Sequence, residues 1–389
     1  MGIDPDIKKQ NSYVRQSGKA SFISSANSKD IVGNYVIEKE LGKGNWGTCF
    51  RAINTSTNDI VSLRMLALHF SKRELSSVQS AVRYTSSIDS DRFQLAIDES
   101  IEPPKAYVSS QFILGEDLFQ LVRRTGPLPI RQSIYCIARA IEGLADIHKK
   151  AIVHGELRPS KIIVDRSGTI SIRDLALAQV SRMRRQFAKD PTQIQKLPSQ
   201  HLEYLAPEIL SGLGKPNFSS DLYSLGCILF FLLTGKPPYV HKTALRIAKA
   251  HREAAIPRAS RRVRGIPPSL DECLERMLAK QPADRFENYK QCHEALREIA
   301  QSLPKNDLSP KEQWEEIVDV DQSESADWRN TPRTAFQNRW VHFAVGLALL
   351  VVIGASIAFA FRRTANVTVA PNGNREIPTA DSEDSFIIR

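Results

Sequence analysis

The chain has 389 residues, of which 42% are hydrophobic and 25% are charged, and its formal net charge is +10. This length and composition are typical of one large or two ordinary globular domains with a well-buried core. The basic residues are scattered, without a long Lys/Arg block or interleaved aromatic residues, which argues against a nucleic-acid partner. The five cysteines lie far apart and no pair has CxxC spacing. We therefore expect reduced thiols and neither a zinc site nor a disulfide framework.

The first third of the chain changes from a polar leader to strand patterns. Residues 1–33 are rich in Ser, Lys, Asn and Gln and lack an apolar core, which predicts a disordered leader without a signal peptide. Strand-like alternation begins at Tyr35. Further strands are predicted at 60–66, 93–97 and 106–114, and a helix at 71–87.

A glycine motif, Gly42-x-Gly44-x-x-Gly47, lies between the first two strand-like runs. A Rossmann dinucleotide site needs a helix after this motif, and the following residues do not supply one. A hairpin whose glycines let backbone amides approach phosphates fits better. A glycine-rich turn without a ligand is the alternative.

The second part of the chain is predicted to be mostly helical. From about residue 130 the apolar period becomes 3.6, and a core-facing stripe is predicted at Ile134, Ile137, Ile141, Leu144 and His148. An apolar helix is predicted at 222–233, with Ser219, Ser220 and Asp221 as N-cap candidates, and smaller helices at 241–300. A long basic loop is expected at 182–196. We therefore expect an α+β fold of two lobes, a β-rich N-lobe at about 34–115 and a helical C-lobe at about 116–302.

Residues beyond the second lobe predict a linker and a membrane span. The linker, 303–339, is polar and acidic. Residues 340–361 contain no Asp, Glu, Lys or Arg, and a 22-residue helix spans a bilayer core. A short polar tail follows at 362–389. Three arginines flank the span on each side, so they do not set its orientation; the missing signal peptide favours a cytosolic N-terminal domain in a single-pass protein of the cell membrane. Gly354 and Ala358 leave association into a homodimer open.

The hairpin at 152–176 carries the residue types of a phosphotransfer site. Two short apolar runs flank a polar turn that contains Glu156, and Asp174 follows eighteen residues later. Protein kinases place a catalytic base and a magnesium ligand on such a hairpin.

Over about 34–300 the chain resembles the eukaryotic-type protein kinase family, and with the predicted span it resembles bacterial transmembrane Ser/Thr kinases. Seven marks occur in family order: the glycine loop 42–47, Val61–Arg64, His154–Lys161, Asp174–Ala176, Ala206–Glu208, Asp221–Gly226 and Arg285. The resemblance implies ATP as substrate, Mg²⁺ as cofactor and protein partners in a signalling pathway. It also implies that Asp221, Glu208 and Arg285 tie the larger lobe together.

The resemblance assigns each site residue a role. The implied nucleotide-binding residues are Gly42, Gly44, Gly47, Arg64 in place of the strand lysine, Ser110 as the gatekeeper and Gln111 at the start of the hinge, with a small gatekeeper implying an open adenine pocket. The implied catalytic residues are Glu156 in place of aspartate, Arg158, and Lys161 in place of the magnesium-binding asparagine. Asp174 is the implied metal ligand.

Several of these positions depart from the family pattern. Arg64 places a planar guanidinium group where the family has the compact ammonium group of lysine. Ala81 stands near the helix glutamate that should hold the strand lysine. The extra methylene of Glu156 displaces the base by about 1 Å. Lys161 offers no acceptor and repels a metal, so a salt bridge between Asp174 and Arg64 or Lys161 is as well supported as metal binding.

Two functions follow, from different classes. The first hypothesis is a membrane-anchored pseudokinase, a signalling scaffold for protein partners with ATP binding left open and Mg²⁺ disfavoured. The alternative is a weakly active or atypical Ser/Thr kinase that uses Glu156 as base and Asp174 with a single Mg²⁺. A sensor or adaptor that acts through the tail is a third reading.

Overall fold

The computed structural model describes residues 31–304 except 68–69, 89, 103–104, 188–198 and 213, together with Trp314 and Val318. Residues 1–30, most of the predicted linker, the predicted span 340–361 and the tail lie outside this set. Among the residues that the structure describes, no helix is long and apolar enough to cross a membrane.

The N-lobe is an antiparallel six-stranded sheet with one helix. The strands lie in the order β1-β2-β3-β4-β6-β5. Its elements are β1 Ile31–Val32, β2 Tyr35–Gly44, β3 Gly47–Asn54, β4 Ile60–Leu66, α1 Lys72–Ser86, β5 Ala96–Ser100 and β6 Tyr107–Gln111. Two predicted boundaries were wrong. Ile31 and Val32 pair with β2 and so belong to the sheet and not to the leader, and β5 begins three residues later than the alternation at 93–97 suggested.

The C-lobe is mostly helical and carries a second, three-stranded sheet in the order β7-β8-β9. Its elements are β7 Glu116–Asp117, α2 Leu118–Thr125, α3 Ile130–His148, β8 Ile162–Val164, β9 Ile170–Ile172, α4 Leu175–Phe187, α5 Ser199–Leu202, α6 Pro207–Leu210, α7 Phe218–Thr234, α8 Ala244–Glu253, α9 Pro268–Met277 and α10 Tyr289–Ser302. Helix α7 is buried from Ser219 to Leu233 and forms the centre of the lobe. The predicted two-lobe α+β fold is confirmed.

Two helix details differ from the prediction. The N-cap of α7 is Asn217, whose side chain accepts from the Ser220 backbone while the Ser220 hydroxyl accepts from the Asn217 backbone. The predicted caps Ser219, Ser220 and Asp221 thus lie inside the helix. In α3 the isoleucines and Leu144 are buried as predicted, but His148 is exposed and Ile147 continues the buried stripe.

Helix α4 occupies part of the expected basic loop at 182–196. It begins directly after Asp174 and continues to Phe187. Its first two turns pack on α1, because Leu177 and Val180 share an apolar cluster with Val78 and Ala81. The segment after the hairpin is therefore a helix held against the N-lobe.

The C-lobe core also extends past residue 302, into the segment predicted to be a solvated linker. Trp314 is only 2% exposed, and it lies beside Tyr135 with the ring centroids 6.1 Å apart. A Cβ on Gly168 would lie 2.4 Å from the Trp314 ring, so a glycine is needed there. Val318 is buried in the same cluster. Two residues of the predicted linker, Trp314 and Val318, therefore pack on the folded lobe.

The buried Asp221 and the partly buried Glu208 tie the C-lobe together, as the resemblance implied. Asp221 of α7 accepts from the backbone amides of His154 at 2.9 Å and Gly155 at 2.8 Å. Glu208 forms a two-pronged pair with Arg285, both distances being 2.8 Å. The first of these contacts fixes the start of the hairpin that carries the candidate site.

Candidate nucleotide and metal site

The hairpin begins at a buried histidine that orients the residues after it. His154 is fully buried, and burial lowers its pKa to about 4, so its ring is neutral. Its Nδ1 accepts from the Glu156 backbone at 3.2 Å, and its Nε2 contacts the Arg173 carbonyl at 3.3 Å. Gly155 has φ +74°, a conformation that glycine adopts without strain. The position of Glu156 is therefore set by backbone contacts on both sides of the hairpin.

Arg64 of the N-lobe forms one ion cluster with two residues of the hairpin, Lys161 and Asp174. Arg64 on β4 donates through Nη2 to both carboxylate oxygens of Asp174, at 3.2 and 3.4 Å. The Lys161 ammonium donates to Asp174 Oδ2 from the other side. The side chain of Lys161 is 7% exposed and that of Asp174 is 10% exposed, so water screens these pairs little. We call this group the Asp174 cluster.

The cluster carries a surplus positive charge, because one carboxylate faces two cations. Burial opposes the charge of Asp174, but Arg64 and Lys161 outweigh it and hold the pKa of this carboxyl well below its usual value. Burial lowers the pKa of Lys161 to about 8, against the attraction of Asp174. Near neutral pH both cations are charged, and the cluster has a net charge of about +1.

Magnesium does not fit this donor set. Mg²⁺ takes oxygen ligands in an octahedral arrangement. Asp174 offers a carboxylate, but Lys161 supplies an ammonium where the resemblance places the second protein ligand. Throughout the part of the chain that the structure describes, no group of three or more His, Cys, Asp or Glu side chains could hold a metal ion. The salt-bridge alternative from the sequence is thus the arrangement found.

The remaining two implied catalytic residues lie beside the cluster. Glu156, the base that the resemblance implies, is buried. Arg158 donates through Nε to Ser160 at 3.0 Å, and burial lowers its pKa although Glu156 and Asp174 both raise it. The hairpin therefore brings together Glu156, Arg158, Lys161 and Asp174, which the resemblance implied as site residues.

A small pocket lies beside Ser110, between the N-lobe and the start of α4. It is lined by Cys49, Ser62, Arg64, Val108 and Ser110 of the N-lobe and by Leu175, Ala176 and Leu177. Its volume is about 20 Å³, which is room for about one water molecule. The open adenine pocket implied by a small gatekeeper stays a prediction.

Both backbone groups of the hinge residue Gln111 already have hydrogen-bond partners within the protein. The Gln111 carbonyl accepts from Gln94 Nε2 at 2.8 Å, and the Gln111 amide donates to the Leu95 carbonyl at 3.3 Å. An adenine that sought these backbone groups would have to compete with Gln94. No sequence motif marks this contact, which joins two residues seventeen positions apart.

The glycine motif forms the predicted hairpin between β2 and β3, and its tip folds onto the N-lobe. Trp46 stacks on Phe70 with ring centroids 5.2 Å apart. Gly47 has φ +113°, and a Cβ there would lie 1.9 Å from the Met65 carbonyl, so packing requires this glycine. Around Gly42 and Gly44 a Cβ would meet open space. Only part of the motif is thus explained by packing.

Neither Lys43 of the glycine loop nor Glu74, the nearest acid upstream of Ala81, contributes to the cluster. The Lys43 side chain is 72% exposed and lies 3.5 Å from Glu40. Ala81 is buried on α1, and Glu74 closes a capping box with Ser71 at the start of that helix. The carboxylate that pairs with Arg64 is therefore Asp174 and not an acid of α1.

A glycine hairpin above a cleft, a helical lobe below it and a hairpin bearing Glu156, Lys161 and Asp174 define a protein of the kinase-like class. The family model of the protein kinase domain matches residues 35–298, more than half of the chain. The chain therefore belongs to the protein kinase family.

Bacterial Ser/Thr protein kinases are among its similar relatives. The chain is 26% identical over 272 residues to the serine/threonine-protein kinase PknL of Mycobacterium tuberculosis, covering 69% of this chain and 66% of that protein. It is 28% identical over 267 residues to the serine/threonine-protein kinase PrkC of Bacillus subtilis, covering 67% of this chain and 39% of that protein. It is 29% identical over 209 residues to PknB of Mycobacterium leprae, covering 53% of this chain and 32% of that protein. The chain thus matches less than two thirds of the length of each of these relatives.

Proposed function

We propose that this protein is a pseudokinase, a protein-kinase fold that serves as a signalling scaffold for protein partners and does not transfer phosphate at an appreciable rate. The observation that carries the proposal is the Lys161 ammonium on Asp174, with Arg64 on the other side of the same carboxylate. This arrangement satisfies Asp174 with protein cations.

Phosphoryl transfer depends on metal ions that bridge the phosphate oxygens and neutralise charge as it develops. At the Asp174 cluster a divalent cation would meet two positive side chains at a distance of a few ångströms, in an environment with little screening. The lengthened base Glu156 adds a second loss. Residues of a catalytic unit act together, so these losses combine to remove most of the rate.

Nucleotide binding without metal is compatible with this proposal. Arg64 and Lys161 supply positive charge that phosphate oxygens could share with Asp174. An adenine that bonds to the hinge would have to compete with Gln94 for the Gln111 carbonyl. We therefore expect weak nucleotide binding with no requirement for Mg²⁺.

The predicted span at 340–361 supports a membrane location for the scaffold. A single uncharged stretch of this length is long enough to anchor the domain in the bilayer. We propose a single-pass protein of the cell membrane with its kinase-like domain in the cytosol, where protein partners meet it. Gly354 and Ala358 would permit close helix association into a homodimer.

A weakly active Ser/Thr kinase is the second candidate. It is favoured by the carboxylates of Glu156 and Asp174, which both remain at the family positions, and by the names of the relatives. In this reading Lys161 would have to leave Asp174 when a metal–nucleotide complex binds.

Two measurements on the full chain in detergent separate these candidates. The first is transfer of labelled phosphate from millimolar ATP to a general protein substrate with Mg²⁺ or Mn²⁺, compared with a Glu156→Ala variant. We expect no difference between the two proteins, and transfer that the variant loses would overturn the proposal. The second is the melting temperature with ATP, with and without Mg²⁺. A shift that requires Mg²⁺ would favour the kinase, and one independent of metal would favour the pseudokinase.

A further inference from the structure

Most of the net charge of the chain is concentrated in one stretch of the C-lobe. Residues 236–264 contain nine Lys or Arg residues and one acid, Glu253, which is a net charge of +8 where the whole chain has +10. The nine are Lys236, Lys242, Arg246, Lys249, Arg252, Arg258, Arg261, Arg262 and Arg264. They are separated in sequence, which is why the composition reads as scattered. We call this stretch the basic face.

All nine of these side chains are exposed, and the fold holds their backbone in place. Helix α8 buries Ile247, Ala248, Ala250 and His251 against the lobe, so its charged residues point outward. After α8, the Asp271 carboxylate accepts from the Ala259 amide at 2.8 Å. The charge is thus carried by an ordered surface.

Part of the basic face borders a wide open cavity of about 560 Å³ at the end of α7. Lys236, His241 and Arg262 line it together with Tyr239 and Val240. The Arg262 guanidinium lies over the Phe230 ring at 5.0 Å. The one acid, Glu253, is placed between Lys249 at 3.7 Å and Arg252 at 3.9 Å. Helix α9 alongside carries three acids and one arginine and reduces this positive charge without cancelling it.

Two aliphatic side chains project from the same surface. Val240 is 56% exposed and Leu245 is 53% exposed, and they are two of the five exposed large hydrophobic residues among those that the structure describes. Basic residues interleaved with exposed aliphatic ones are typical of surfaces that lie at a lipid interface. A surface for single-stranded nucleic acid would present aromatic rings, whereas Tyr239 is buried.

We propose that the basic face docks on an anionic membrane surface. This inference rests on the membrane anchor of the proposed function, which would hold the domain within one linker length of the bilayer and so give a high effective concentration. The negative surface potential of the cytoplasmic leaflet raises the equilibrium constant for docking by a factor of about five for each Lys or Arg near the surface. Val240 and Leu245 would enter the headgroup region, and the cavity would receive lipid phosphates. Docking in this orientation fixes which surfaces of the scaffold remain open to protein partners.

The test uses the full chain reconstituted in nanodiscs of phosphatidylcholine alone or with added phosphatidylserine. Amine labelling followed by mass spectrometry reports Lys236, Lys242 and Lys249 on the basic face, and Lys43 and Lys290 outside it. We expect phosphatidylserine to slow labelling of the first three several-fold and leave the other two unchanged. Raising the salt concentration should remove the difference, because the attraction is screened.

A charge-neutralised variant and a matched control make the test specific. The triple variant Lys242→Gln, Arg246→Gln, Lys249→Gln should lower the ratio of docked to undocked domain by about 100-fold, at about fivefold for each charge. The control Lys43→Gln, Lys72→Gln, Lys290→Gln removes the same charge from other exposed positions and should leave the ratio unchanged. An equal effect of both triple variants would show general charge attraction and would overturn the proposal.

Other outcomes separate this inference from the anchor on which it rests. Equal labelling of the basic face in both lipids, with the chain still held in the nanodisc, overturns the docking and leaves the anchor intact. Protection in both lipids that disappears on dilution identifies an acidic protein surface or a second copy as the partner and also overturns it. A chain that does not float with neutral vesicles refutes the anchor, and added phosphatidylserine vesicles then test the face alone: protection of its lysines supports docking, and equal labelling overturns it.

Discussion

Two buried ion-pair sites in this molecule differ in how they balance charge. At the first, Arg285 meets one carboxylate, Glu208, with two bonds of 2.8 Å, and further N–H groups donate to the carbonyls of Ser219 and Ala279. At the Asp174 cluster one carboxylate faces both Lys161 and Arg64. The first site is neutral and its donors are used by the fold. The second has a positive surplus.

This difference distinguishes an ion pair that only stabilises the fold from a site that can still bind a ligand. A buried pair with matched charge and complete hydrogen bonding has nothing left to offer a ligand, whereas a cluster with an uncompensated cation attracts anions and repels metal ions. The lowered pKa of Lys161 shows that burial and its cationic neighbours oppose its charge. The Asp174 cluster therefore retains electrostatic potential for phosphate while it has lost the potential to hold magnesium.

The largest expected effect comes from breaking the neutral pair. Arg285→Met leaves the Glu208 carboxylate without its partner and should lower the free energy of unfolding by about 3–5 kcal/mol, measured by urea denaturation. The matched control is Arg124→Met, which breaks the partly exposed pair with Glu116 and should cost below about 1 kcal/mol. Similar costs for the two variants would mean that the buried pair does not hold the lobe.

A somewhat smaller effect is expected behind the Asp174 cluster. Trp314 packs on Gly168, which lies between β8 and β9, the strands that connect Lys161 to Asp174. Trp314→Ala should lower the free energy of unfolding by about 3 kcal/mol, the lower end of the range for truncating a large buried aromatic side chain. Leu245→Ala, at a 53% exposed position, serves as the control and should have little effect. Equal melting temperatures of Trp314→Ala and the unchanged protein would show that the packing of Trp314 does not stabilise the fold.

The parts of the site that the sequence predicted are those fixed by local motif spacing. Glu156, Lys161 and Asp174 were expected on one hairpin, and a salt bridge from Asp174 to Lys161 or Arg64 was one of two alternatives. The choice between them needed the structure, because it depends on how β4 approaches the hairpin across 110 residues. The α+β division followed from the change of period, a signal that is strong over long segments.

The missed features depend on contacts between distant elements. Trp314 stands among acidic residues, and its local composition predicted a solvated segment; only the space beside Gly168 and Tyr135 reveals where it packs. The basic composition after Arg182 hid the helical continuation of α4. Gln94 showed no motif, although its amide reaches the hinge carbonyl. At Trp314 and Gln94, burial of a single side chain in a tertiary environment overrides the local composition.

The smallest expected effect tests the charge surplus itself, through two variants of one residue. Lys161→Asn and Lys161→Met both remove the ammonium, but only asparagine supplies an oxygen ligand beside Asp174. We expect the asparagine variant to gain stabilisation by Mg²⁺ of about 1.4 kcal/mol when free Mg²⁺ is ten times the dissociation constant. The methionine variant and the unchanged protein should gain none, and the melting temperature over a Mg²⁺ titration measures all three. Equal stabilisation of the unchanged protein and Lys161→Asn by Mg²⁺ would show that Lys161 does not exclude the metal. The Asp174 cluster would then not differ from the neutral Glu208–Arg285 pair in the way described above.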